Sequence, residues 1–555
     1  MTSESVAASD SRLSTWLESP VTIVVTAALI RGALLFTYEG TIQDGVTRVG
    51  MAANWLFHGL GIFGRTSWPE GNYLLPAAAL LIWNEPYWSV RILYALVGVT
   101  NVWLIYLLGR TLYGRSAGAV AAWIVACMPF HAQQSVEVAT SEVPYLSCIV
   151  LSLLAIVGYA RNPSPSLAAF GGLSLTIATS FRFDGVVWAI PLGASIAAAA
   201  VRHRLPVARV ARDLTLFGVC AMAFPAALFA RWLQLYPDPF TLISRGKLMS
   251  QEFFVRGQHL RWPGWVYQSY TLAFWPASTF ILLTPLVAAL GWTGLLCAIR
   301  ERRLVALPVV LGIVVVCVWL GYAAFRHDIL VQWRYALVVA APLSVFCLPG
   351  AEALTRRWPA LTGRRIAAAT LATAAASAAA VIVLAFVDAG TLTRQIGTLS
   401  PIRPDQFASR ELLTWIRSDV GPSDPVLLTS HVLEQPYLAM HLPELERAGS
   451  VIAQSYFLPN GDLVRTRASL TEQLLTNISR ACYVVTTTST RELGLQDGLY
   501  RELVDPAHIK DDMYVWHGTS LRLIRRFGSN LVWSVMHSGA LPQPTLKLTC
   551  PEAGK

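Results

Sequence analysis

A chain of 555 residues that is 54% hydrophobic and only 14% charged, with a mean hydropathy of +0.49, is not composed like a soluble multidomain protein. Its net charge of +10 would suit a nucleic-acid binder, but the basic residues lie in short loops between apolar runs, which excludes that class. A membrane protein remains.

Residues 1–19 read as a polar tail. Apolar runs of about 18 residues or more, enough to cross a hydrocarbon core of about 30 Å as helix, then recur as far as residue 388. About eleven are expected to span, near 20–38, 90–109, 116–132, 142–160, 166–181, 184–200, 213–233, 272–298, 304–325, 331–350 and 366–388. They must be helices, because nothing in the bilayer interior can pair an exposed backbone N–H or C=O. The run from Pro20 lacks the short core and small-residue cleavage site of a signal peptide and is expected to remain as a signal anchor. The stretch Pro76–Trp83 is too short to span and reads as interfacial or re-entrant.

Orientation follows from the arginines. Every second loop carries a basic cluster: Arg110 and Arg115; Arg161; Arg202, Arg204, Arg209 and Arg212; Arg300, Arg302 and Arg303; Arg356, Arg357, Arg364 and Arg365. Basic loops stay in the cytoplasm, so the N-terminus is expected to be cytoplasmic and the C-terminal region extracytoplasmic. Only four of the 43 basic residues are lysine, which beside abundant Arg and Ala fits a GC-rich bacterial source and its inner membrane.

The outer segments carry the chemistry. In loop 39–89, Asp44–His58 reads as an amphipathic helix lying along the membrane surface, with Val46, Val49, Ala53, Leu56 and Phe57 near one face. Asp44 opens it, where a carboxylate also serves as a plain helix cap. Loop 234–271 mixes Arg245, Lys247 and Arg256 with aromatic residues, against the positive-inside bias, which suits a phosphate or anionic headgroup. Acids Asp44, Glu70, Glu85, Glu137, Glu142 and Asp184 share this side with Arg182, Arg326, His327 and Arg334. Charges at the hydrocarbon boundary are costly and therefore functional candidates; the plain alternative is mutual pairing, such as Arg182 with Asp184 or Arg326 with Asp328. Arg31, midway along the first helix, is expected to face the bundle and pair with an outer acid, the alternative being contact with an anionic phosphate.

Residues 389–555 read as a small α/β domain, with helices at Glu411–Ser418 and Leu470–Ile478 and strands at Val426–Thr429 and Cys482–Thr487. Cys482 and Cys550 would lie in an oxidising compartment, where a disulfide is permitted. The expected fold is thus a polytopic α-helical membrane domain, 20–388, followed by an extracytoplasmic α/β domain, 389–555.

Between residues 20 and 350 the chain resembles the membrane-embedded glycosyltransferases of the C-type fold, particularly the group of protein O-mannosyltransferases and the lipid A aminoarabinose transferase. The resemblance rests on Thr41-Ile42-Gln43-Asp44-Gly45, Asn72-Tyr73-Leu74-Leu75-Pro76, Ser89-Val90-Arg91-Ile92-Leu93 and Ala139-Thr140-Ser141-Glu142-Val143-Pro144, and on the later runs Phe181-Arg182-Phe183-Asp184-Gly185 and Gln332-Trp333-Arg334-Tyr335-Ala336-Leu337. It implies a polyprenyl-phosphate sugar as donor, a lipid, glycan or protein acceptor, and inversion by a single displacement. Asp44 would be the general base and Glu142 a second acid that orients the acceptor or an arginine. Arg334, Arg326, Arg245, Arg256 and Lys247, in falling order, are the candidates for the leaving phosphate, with Arg182, Asp184 and Tyr335 supporting. Some relatives hold a divalent cation near the position of Glu70, but Trp68-Pro69-Glu70-Gly71 departs from their Glu-Lys-Pro pattern and leaves a metal open. Gly45 after Asp44 also departs from the Asp-Glu pair of eukaryotic protein mannosyltransferases. The competing readings are a transporter or flippase, which would need paired repeats not found in the chain, and a polymerase or ligase of lipid-linked glycans.

Overall fold

The computed structural model describes residues 18–37, 43–59, 63–64, 68–240, 247, 251, 264–329, 331–358, 405–429, 436–453, 467–487, 513–516, 519–528 and 530–536. They fall into two compact units: Met1–Gly40, Gly61–Leu75 and Arg91–Ser400 in the first, and Thr41–Leu60, Pro76–Val90 and Pro401–Lys555 in the second. Pieces of the first outer loop therefore group with the C-terminal region rather than with the helices that flank them in sequence.

The first unit is a helical bundle, and the protein is a multi-pass membrane protein. Among the described residues, six helices are long and apolar enough to cross a membrane: Trp88–Tyr113, Glu142–Arg161, Phe183–Arg202, Val207–Leu235, Leu304–Phe325 and Trp333–Arg357. Each coincides with an expected span. Gln268–Leu282 and Pro285–Arg300 would make a seventh, but they meet at 119°. The expectation of one continuous run over 272–298 is corrected by Pro285, which has no N–H to continue the ladder and bars its neighbour from helical angles; Thr284 accordingly turns to φ 70°.

Three further expected spans are shorter apolar helices, Pro20–Phe36, Arg115–Cys127 and Pro165–Thr179. The second of these stops at Met128, extended ahead of Pro129, which starts the short helix Pro129–Gln134. The expected run 366–388 lies outside the described residues. Among the described residues the structure thus shows six full-length candidate spans, or seven with the bent pair, beside these shorter apolar helices. Pro76–Trp83 belongs to the helix Gly71–Ile82.

Small residues let helices touch at the backbone, as membrane packing favours. Gly294 and Gly350 are the clearest case: a Cβ on Gly294 would fall 2.0 Å from the Phe346 carbonyl oxygen, and one on Gly350 2.0 Å from that of Leu290. The helix Pro285–Arg300 can therefore lie directly against Cys347–Arg357.

The second unit is built on a six-stranded sheet, β1 (Val426–Leu428), β2 (Val451–Ala453), β3 (Tyr483–Thr487), β4 (Met513–Trp516), β5 (Thr519–Phe527) and β6 (Asn530–Met536). The order is β2-β1-β3-β6-β5-β4, parallel among the first three and antiparallel beyond. Parallel neighbours need crossovers, and the helices Pro436–Arg447 and Arg467–Ile478 supply them. Strand alternation sends Leu427 and Val484 to a core with Leu474, Ile478 and Trp533, and Val426, Leu428 and Val485 to another with Leu412, Ile416 and Leu438. Both faces are covered, which is why β1 is apolar throughout. Cys482 is disulfide-bonded, its partner lying outside the described residues.

Gln43–His58 in this unit is helical as the sequence implied. Of the residues expected on its apolar face, Val46, Val49 and Ala53 are buried in the protein, together with Ala52, whereas Leu56 is half-buried and Phe57 is exposed. The buried face packs against the helix Pro436–Arg447.

Candidate active site

Three chain turns of the first unit bring charged groups together. Glu142 is the first residue of the helix Glu142–Arg161, where the aligned peptide dipoles favour a carboxylate, and its side chain is 3% exposed. Arg182 precedes the 3-10 turn Phe183–Trp188. Its Nε and Nη2 donate to the two carboxylate oxygens of Asp184 at 3.0 and 3.1 Å, a fork that fixes the guanidinium plane. Its remaining nitrogen, Nη1, donates to Glu142 Oε1 at 3.2 Å.

Arg334 comes from the 3-10 turn Trp333–Ala336. Its Nε donates to Gln332 Oε1 at 2.6 Å and lies 3.4 Å from the same Glu142 oxygen. Tyr335 stands between the two arginines, its ring centroid 3.9 Å from Arg182 Cζ and 5.4 Å from Arg334 Cζ, so its π-face supports both charges. Trp275 stacks on Tyr335 at 6.4 Å and 18°. Burial opposes the Arg182 charge, yet Asp184 and Glu142 outweigh it and hold the group above its ordinary pKa.

The structure therefore joins five sequence candidates: Glu142, Arg182, Asp184, Arg334 and Tyr335. The pairing of Arg182 with Asp184, weighed above as the plain alternative, is present and coexists with the bond to Glu142. Arg182 and Arg334 remain 15% and 17% exposed, enough for their outer edges to meet a ligand.

The other candidates divide. Asp44 is the second residue of the helix Gln43–His58 in the second unit, and its side chain lies outside the described set. Arg245 and Arg256 also lie outside the described residues. Lys247 is paired with Asp328 at 2.8 Å, so the imagined Arg326–Asp328 pair is replaced by a lysine partner. Arg326 ends the helix Leu307–Phe325, is exposed, and forms no ion pair among the described residues.

Glu70 is buried, and its Oε1 accepts the Gly64 N–H at 2.7 Å. Burial raises its pKa, with the Gly64 bond opposing. Among the described residues no three His, Cys, Asp or Glu side chains are grouped as a metal-ligand set, and the bond to Gly64 fixes the loop ahead of Glu70.

Two arrangements were not foreseen. Arg31 is fully buried and meets no acid among the described residues: it bonds His131 Nδ1 at 2.6 Å and the carbonyl oxygens of Ala27 and Ala126 at 3.0 and 3.4 Å. The expectation of an outer acid fails because the helix break at Met128 turns His131 inward. In the second unit, Glu85 receives the Tyr437 hydroxyl, the Trp88 N–H and Arg410. Glu85 was legible as an outer acid, but its side-chain partners Arg410 and Tyr437 lie more than 300 positions on (|i−j| = 325 and 352), beyond any local pattern.

The fold has solved counterparts. The structure is similar to that of ArnT from Cupriavidus metallidurans bound to undecaprenyl phosphate, at 14% identity and a TM-score of 0.54, covering 94% of this chain and 99% of that one. The apo state of the same protein gives 13% identity, the same coverage and a TM-score of 0.55. The apo oligosaccharyltransferase of Archaeoglobus fulgidus is less alike, at 13% identity and a TM-score of 0.47 over 84% of this chain and 69% of that one. Residues 69–230 match the model of the dolichyl-phosphate-mannose-protein mannosyltransferase family. No curated protein matches the chain in sequence.

Proposed function

We propose that the protein is a glycosyltransferase that moves a sugar from a polyprenyl-phosphate donor to an acceptor outside the cytoplasm, with inversion at the anomeric carbon. The convergence of Arg182 and Arg334 on Glu142, with Tyr335 between them, carries this reading. Fixed cations in a partly dehydrated site are what a departing phosphate needs, because they stabilise its developing charge without reorganising. The fold shared with a protein crystallised on undecaprenyl phosphate supports the same donor class.

In this mechanism Asp44 accepts the proton of the acceptor hydroxyl as its oxygen attacks the anomeric carbon, and the sugar–phosphate bond breaks on the opposite face. Arg334 leads the cations that receive the phosphate, followed by Arg326, Arg245 and Arg256. Lys247 is the weakest, because Asp328 already compensates it. Glu142 orients Arg182 and Arg334 rather than touching the acceptor, since both guanidiniums lie against it.

The orientation proposed is N-terminus in the cytoplasm and α/β domain outside. The helices ending at Tyr113, Arg161, Arg202, Arg300 and Arg357 each carry arginine in the last turn, which supports it. The decisive experiment is transfer of labelled sugar from synthetic polyprenyl-phosphate sugars by purified protein. Asp44→Asn is expected to abolish turnover while undecaprenyl phosphate still binds; normal turnover in that variant removes the base role. Transfer of a whole oligosaccharide from a diphosphate carrier would instead favour a ligase.

A further inference from the structure

The Pro436–Arg447 helix holds both pieces of the first outer loop that belong to the second unit. Along its side lies the Gln43–His58 helix, whose Val46, Val49, Ala52 and Ala53 are buried. In its first turn Tyr437 donates a short hydrogen bond to Glu85 Oε1, while Glu85 Oε2 accepts the Trp88 N–H. Arg410, on the helix Asp405–Asp419, donates to Glu85 Oε1 at 3.4 Å and lies 4.6 Å over the Tyr437 ring. Ser89 Oγ bonds the Glu85 carbonyl oxygen at 2.6 Å and stiffens the same turn.

Glu85 is only 5% exposed, and a carboxylate so placed is tolerable only while its oxygens are bonded. Its carboxylate is therefore a fastening point: Tyr437 and Arg410 cannot leave it without stranding a buried charge. Burial and the adjoining carboxylate push the Tyr437 hydroxyl up from its ordinary pKa, so it stays a donor at any physiological pH. Glu85 thus locks one end of the Pro436–Arg447 helix, and the apolar face of Gln43–His58 is seated along that locked helix.

We infer that Glu85 and Tyr437 are positioning residues for Asp44, acting through the Pro436–Arg447 helix. The α/β unit is then the mount of the acid-bearing helix. The mechanical part stands on the packing alone; its catalytic consequence rests on the reading of Asp44 as base.

The test uses the full-length protein in nanodiscs and the variant Tyr437→Phe, which removes one hydroxyl and preserves the ring. Hydrogen–deuterium exchange of peptides spanning residues 43–58 is expected to rise at least fivefold, with peptides of β3 and β6 unchanged. Turnover is expected to fall about tenfold, with affinity for undecaprenyl phosphate unaltered. Glu85→Gln, which keeps an acceptor oxygen for Tyr437, should give the same changes in milder form, and Arg410→Gln, removing a half-exposed partner, provides a variant with little folding risk. Unchanged exchange in 43–58 for all three variants overturns the inference, as does an equal rise across the sheet, which would mean general loosening. A local rise in exchange with normal turnover upholds the mount and removes Asp44 from the chemistry.

Discussion

Two buried arginine clusters in the helical unit invite comparison. Arg182 and Arg334 lie at helix ends, share a glutamate and keep part of their surface open. Arg31 lies within a helix, fully enclosed, and is held by a histidine and carbonyl oxygens. Its partner His131 is tied on through Asn101, which reaches His131 Nε2 at 3.4 Å, and Ser147, which donates to Asn101 Oδ1 at 2.5 Å. The first cluster balances its charges and keeps 15% and 17% of its two arginine side chains exposed. The second is a polar seam joining helices, with no surface on which a ligand could act. The two clusters therefore differ in the company of acids and in the exposure that remains, and on the proposed function that difference separates a chemical arginine from a structural one.

The largest effect should come from the open cluster. Arg334→Gln is expected to lower sugar transfer by roughly two to three orders of magnitude, the scale of losing a fixed stabilising donor, with little change in melting temperature. Glu142→Gln should cost less, about tenfold, because Arg182 keeps its fork on Asp184 while Arg334 loses its anionic partner. Unaltered transfer in both variants would erase the distinction between the clusters.

Arg31→Met should invert the pattern. It strands the His131 nitrogen and removes the guanidinium bond to the Ala126 carbonyl oxygen, at a cost of about 1–3 kcal/mol for each group left unpaired, while the Ala27 carbonyl keeps its helical N–H partner. The protein should melt several degrees lower in detergent, while transfer per folded molecule stays within about twofold. A variant that melts normally but transfers poorly would move Arg31 into the chemistry.

The members of the first cluster stood out in the sequence because each lies in a short contiguous stretch that carries the family resemblance: an acid opening a helix, an Arg-x-x-Gly turn and an Arg-Tyr helix opening. Hydropathy likewise located the long spans, since each is a continuous stretch of one chain. Arg31 was visible as a costly charge, but its partner depended on the break at Met128 and Pro129, which hydropathy passes over. Glu85 was visible as an acid, and Tyr437 as nothing more than a tyrosine. In the α/β unit the helix at 411–418 and strand at 426–429 were read, whereas the Pro436–Arg447 helix and β4, β5 and β6 were not. β5 carries Arg522, Arg525 and Arg526, and its apolar alternation breaks at a bulge near Leu523, which hides it from a period of two.

The smallest effect belongs to an arginine exposed by both measures. Arg417 bonds Glu444 at 3.0 Å, and His441 lies 3.3 Å from the same oxygen. Burial opposes the Glu444 charge, but Arg417 and His441 together outweigh it, so its pKa lies below the usual glutamate value. A depressed carboxylate stabilises the folded state at pH above its unfolded pKa, about 4.3, and loses that contribution as pH falls through the folded value. Glu444 is 48% exposed and its partner 42%, so solvent screens the pair. Glu444→Gln should therefore cost at most about 0.5 kcal/mol near neutral pH. The cost should fade below about pH 4 and in molar salt, where the Debye length shrinks to about 3 Å. Urea titrations of the α/β unit's unfolding within the full chain, at pH 7 and pH 3.5, measure it. A penalty that persisted in acid and high salt would show that Glu444 acts through packing, and exposure would lose its place as the property that ranks these arginines.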